Sequence, residues 1–138
     1  MLALINSSSS LTITSPTVGN SRWLAPEISD PQSPGAPGTP VDSMPADVFG
    51  FAMVAIEIFT GKVPFAEYSV PGAVRQILEG KRPALPQNAE DVGLTAQRWA
   101  LLQRCWESDP AARPTMGEVV RMWGGQKRFW REWACGLS

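Results

Sequence analysis

The chemistry open to this chain is bounded first by a residue it lacks: none of its 138 residues is histidine. Ser-His-Asp and Cys-His nucleophilic catalysis are thereby excluded, as are the histidine-containing zinc sites. The two cysteines, Cys105 and Cys135, have neither metal-ligand spacing nor the pattern of a disulfide framework. Cys105 falls on an apolar helical face and reads as a small core residue. No Gly-x-Gly-x-x-Gly occurs to cradle a phosphate. Hydroxyls crowd residues 6–21, where Ser7 through Ser10, Thr12, Thr14, Ser15 and Thr17 are chemically able to accept a phosphoryl group. Among the carboxylates, Asp47 opens a long apolar run and Glu57 lies inside it. The first suits the positive end of a helix dipole, and the second must be satisfied within the fold.

The element that positions these groups is the apolar run at residues 48–59, interrupted only by Gly50 and Glu57. It is too long for a strand and lacks period-2 alternation, so it predicts a helix. Ser43 is placed to cap it, Pro45 suits its first turn, Gly61 offers a left-handed stop, and Pro64 blocks continuation. A helix apolar on nearly every face needs cover on nearly every face. A membrane span needs roughly 20 apolar residues, more than this run supplies.

Residues 70–80 predict an amphipathic helix with Val74, Ile77 and Leu78 on one face and Arg75, Gln76 and Glu79 outside. Residues 95–107 predict another, capped by Thr95, with Trp99, Leu102, Cys105 and Trp106 on its apolar face. Thr115 and Glu118 have the spacing of a capping box for a last helix, with Val119, Val120, Met122 and Trp123 as its apolar side. Residues 6–21 and the proline- and glycine-rich stretch 29–40 read as surface loops, and residues 81–93 as a polar connector. Gly124 and Gly125 break the last helix. The tail beyond mixes bases with aromatics; a short helix folding back on the domain is expected, with a membrane-surface or partner contact, or stacking on single-stranded nucleic acid, as the alternatives.

Net charge is -1, with no long run of one sign, so no nucleic-acid partner is expected. Residues 1–5 are too short an apolar run for a signal peptide and lack a basic flank. One domain, without a transmembrane segment and in a reducing, cytoplasmic setting, is the expectation.

Four stretches together resemble the large lobe of eukaryotic protein kinases, in the family's order. They are Arg22-Trp-Leu-Ala-Pro-Glu27, Asp47-Val-Phe-Gly through Val-Pro-Phe65, Gly80-Lys-Arg-Pro83, and Cys105-Trp-Glu-Ser-Asp-Pro-Ala-Ala-Arg-Pro-Thr-Met116. The flavour is that of the tyrosine-kinase-like serine/threonine group. The resemblance implies a mainly α fold: a partial large lobe, with the end of the activation segment and four or five helices, and no N-terminal sheet lobe. It assigns residues 1–123 to that partial domain and leaves 124–138 as a basic-aromatic tail. Residues 1–5 then look like those that follow the family's Asp-Phe-Gly.

By resemblance, Gly19, Asn20 and Trp23 belong to the loop that faces the substrate, with Asn20 where serine/threonine kinases usually carry threonine. Glu57 matches a position that faces a basic substrate side chain in some relatives. Glu27 should reach Arg113 as a structural brace, since arginine's planar fork grips a carboxylate bidentately. Asp47 matches an aspartate that bonds the catalytic-loop backbone. ATP and magnesium belong to the family, but Asp-Phe-Gly and His-Arg-Asp do not occur here. No catalytic, cofactor-binding or metal-binding residue carries over. Phosphoryl transfer is mostly positioning and charge neutralisation, so a chain without those groups is expected to be inactive alone. Its expected partners are proteins or the N-terminal half of a kinase domain. A non-catalytic interaction module is the alternative.

Overall fold

The apolar run at the centre of the chain takes the helical path its pattern demands. In the computed structural model, which describes residues 18–30 and 43–124, it is the longest helix. Four shorter α-helices and two 3-10 helices are arranged around it, and no strand occurs among the described residues. In chain order these are a 3-10 helix Val18–Trp23, α1 Pro26–Ser29, α2 Ser43–Thr60, α3 Val70–Leu78, α4 Ala96–Cys105, a second 3-10 helix Pro110–Ala112, and α5 Met116–Trp123. Of the expected loops 6–21 and 29–40, residues 6–17 and 31–40 lie outside the described residues, as does the tail after Gly124; residues 18–21 instead enter the first 3-10 helix and Ser29 ends α1, correcting the loop expectation there.

Helix α2 starts at Ser43 itself, one residue earlier than a Ser43 cap requires. Its end is as the residues dictate. Gly61 turns left-handed at φ 66°, and its N–H donates to the Glu57 carbonyl at 2.8 Å. Val48, Phe49, Ala52, Met53, Ala55 and Ile56 are buried, forming the centre of the core. Both 3-10 helices and α4 pack on α2.

The described residues do not cover this helix on every face. Met44, Val54 and Ile58 are 73%, 44% and 74% exposed. The described neighbours cover one side of the helix and leave this stripe open. Phe51 and Phe59 are intermediate cases, half-buried by Trp123 at ring separations of 5.2 and 6.0 Å.

Ser69 caps α3, accepting from the Gly72 N–H at 3.3 Å, and Gly80 at φ 79° closes the turn after it. The buried pair is Ala73 and Ile77, facing the first 3-10 helix and α1, while Val74 is half-buried and Leu78 is exposed. The expected face was therefore rotated. Leu78 sits about 100° around from Ile77 and leaves the stripe that the neighbours cover.

Thr95 caps α4 by accepting from the Arg98 N–H at 3.3 Å, and Leu102, Cys105 and Trp106 are buried with Leu101 beside them. Thr115 and Glu118 form the full capping box of α5. Only Val119 is buried there; Val120 and Met122 point outward, correcting the apolar side expected from sequence. An eight-residue helix docked along a single edge against α4 can bury one stripe, and Val119 and Trp123, four residues apart, occupy it. Between α3 and α4 the connector is pinned by buried Ala89 and Leu94. Among the described residues no helix is long and apolar enough to cross a membrane.

Candidate functional site

A buried ion pair joins two parts of the chain 86 residues apart. Arg113 Nη1 donates to Glu27 Oε1 at 2.6 Å and Nη2 to Oε2 at 2.9 Å, so the guanidinium fork meets the carboxylate edge to edge. Glu27 stands in the first turn of α1, which Pro26 opens with its fixed φ. Arg113 ends the second 3-10 helix, whose Asp109 side chain accepts from the Ala111 N–H at 2.9 Å.

The rest of the guanidinium is also satisfied. Its Nε donates to the Glu107 carbonyl at 2.8 Å and Nη1 to the Pro45 carbonyl at 2.9 Å. The charge also lies 5.1 Å from the Phe49 ring centre. The pair thus ties α1, the start of α2 and the approach to α5 at one point. Arg82 lies the same 5.1 Å from Phe49. It donates to the carbonyls of Trp106, Ile77 and Lys81 at 2.7, 3.1 and 2.7 Å, and to Ser108 Oγ at 3.1 Å. Burial, then the nearby Arg113 charge, lowers the Arg82 pKa.

The first 3-10 helix holds the other residues singled out by sequence. Gly19 and Asn20 are exposed on it. Trp23 turns inward, and its Nε1–H donates to Glu57 Oε2 at 2.9 Å, giving the carboxylate inside the apolar run a partner. Asp47 is exposed at the lip of a groove of about 590 Å³ between the start of α2 and residues 110–117.

Two arginines that carry the arrangement received no role from the sequence. Arg82 is one; Arg22 is the other, buried and donating to the carbonyls of Pro64, Phe65 and Tyr68 at 3.0, 2.7 and 2.7 Å. Each sits inside a stretch carrying the kinase resemblance, which was the only sequence signal for them. A main-chain carbonyl as partner leaves no trace in residue type.

Among the described residues no group of three or more acidic, cysteine or histidine side chains is placed to hold a metal ion. What the geometry offers is a braced helical platform with Gly19 and Asn20 exposed on its first 3-10 helix.

A platform of this architecture, closed by an Ala-Pro-Glu carboxylate on a distant arginine, is that of the protein-kinase large lobe, and the family match agrees. The family model described as protein tyrosine and serine/threonine kinase matches residues 1–122, so the chain belongs to that family, represented here by part of its domain. A serine/threonine-protein kinase of Arabidopsis thaliana is 35% identical over 106 residues, covering 75% of this chain and 16% of that protein. A probable serine/threonine-protein kinase of Dictyostelium discoideum is 34% identical over 105 residues, 75% of this chain and 10% of its own length. Mitogen-activated protein kinase kinase kinase 7 of Bos taurus is 30% identical over 106 residues, 75% and 16% respectively. The chain thus spans a small part of the length of these relatives.

Proposed function

We propose that this chain is the substrate-positioning part of a serine/threonine kinase large lobe and does not transfer phosphate from ATP by itself. The observation that carries this reading is the Glu27–Arg113 brace, which anchors the segment bearing Gly19, Asn20 and Trp23 to the helical platform. The supporting argument from chemistry is the lack of Asp-Phe-Gly and of any histidine in the sequence. Catalysis here needs groups that neutralise and align the phosphates, and this chain supplies none. Gly19 and Asn20 then face the protein substrate, while Trp23 and Glu57 hold the loop's inner side in a cytoplasmic enzyme.

The test is an assay of the purified chain with magnesium-ATP and a serine/threonine peptide library. The expected result is no phosphate incorporation and no saturable nucleotide binding; turnover by the chain alone would overturn the proposal.

A second reading, a non-catalytic interaction module, is favoured by the open apolar stripe of Val54 and Ile58 on α2. The mass of the protein in its native cells, probed with an antibody to residues 126–133, separates the two. A band well above 15.0 kDa supports a kinase of which this is a part, and a band at 15.0 kDa supports the module.

A further inference from the structure

Arg22 is a buried cation without a carboxylate partner among the described residues. Its three bonds instead converge on one short turn, at the carbonyls of Pro64, Phe65 and Tyr68. That turn holds the one non-glycine residue with positive φ among those described, Phe65 at 55°. A left-handed conformation is costly for a residue with a side chain and persists only when its surroundings enforce it. Phe65 is itself buried, and its ring meets Tyr68 at 6.2 Å. Directly after the turn, Ser69 caps α3. On the other side, Arg22 belongs to the same 3-10 helix as Gly19, Asn20 and Trp23, and that helix packs against α3.

We propose that Arg22 is a positioning residue that latches the 3-10 helix to the turn between α2 and α3, so that displacing the turn displaces the loop bearing Gly19 and Asn20. Three charge-assisted bonds, on the carbonyls of Pro64, Phe65 and Tyr68, hold the turn in its strained form, and the strained form in turn offers the three carbonyls together. Neither side keeps its conformation when the other lets go. Tyr68 is 40% exposed on this turn, so a protein that grips the turn or the start of α3 gains access to the loop through Arg22. The consequence for substrate handling rests on the proposed role of Gly19 and Asn20; the mechanical coupling does not.

The experiment is amide hydrogen exchange by mass spectrometry on the full chain, comparing it with Arg22→Gln and Arg22→Lys. Exchange at residues 18–24 and at residues 65–69 is expected to speed up together, by about tenfold or more, with α4 and α5 unchanged. Faster exchange in one stretch alone, or in neither, overturns the latch. Should Arg22→Gln lose protection throughout, Arg22→Lys decides by the same criterion, since it keeps the charge but not the fork; global loss in both variants makes Arg22 a general core residue and also overturns the latch. The readout needs no substrate, so a failure of the substrate-facing reading leaves its outcome intact.

Discussion

Phe49 shows how one buried ring organises charge. Arg82 and Arg113 both stand 5.1 Å from its centre, and two guanidiniums so placed repel each other. The ring's negative face and a set of main-chain carbonyls offset that repulsion. Cys105, the last residue of α4, is fully buried. Burial pushes its thiol up to about 11, against a smaller opposing pull from Arg104. At neutral pH it should therefore resist alkylation in the native protein and react on unfolding.

The sign of the pH effect follows from the same shift. Between about 9 and 11 the unfolded thiol has lost its proton while the folded one keeps it. Raising pH through that window favours the unfolded state, so the stability this group contributes below it is lost. Urea midpoints at pH 8 and pH 10 should fall further for the natural chain than for Cys105→Ala. An equal fall would show that the thiol is not the titrating group.

At the scale of elements, the brace matters because the helices it joins are short. Helix α1 has four residues and α5 eight, too few to be stable except by docking. Glu27→Gln leaves Arg113 with a buried, uncompensated charge, and should lower unfolding free energy by about 3–5 kcal/mol in urea titration. A loss under 1 kcal/mol would mean that the pair is more hydrated than its exposures of 0% and 6% indicate. Arg113→Lys should be nearly as damaging, because an ammonium cannot reproduce the two parallel bonds or the contact with Phe49.

At the scale of the whole molecule, the described residues form one core and leave one side of α2 uncovered. Val54 and Ile58, at 44% and 74% exposure, leave apolar surface on α2 that the described residues do not cover. Contiguous apolar surface of this sort promotes association. The chain in isolation should bind apolar dyes and precipitate readily. Ile58 is 74% exposed, so Ile58→Lys should reduce both effects while changing unfolding free energy by no more than about 0.5 kcal/mol. Light scattering and dye fluorescence check the first part, and a urea melt the second. A large loss of stability would show that Ile58 is covered in solution.

Much of this architecture is legible along the chain because its causes are local. Thr95, Thr115 with Glu118, Gly61 and Gly80 mark helix ends through bonds and angles a few residues long, and each lies at the end it marks. The mainly α fold and the kinase resemblance follow from the run at 48–59 and from four short stretches in order. Which side of each helix is covered was another matter. Leu78, Val120 and Met122 have the residue types of a core and stand outside it, because cover is supplied by elements distant in sequence. Arg22 and Arg82 escaped notice for a related reason: their partners are carbonyls, which every residue has. A residue's type announces what it can bond to, but only the packed chain decides which backbone comes within reach.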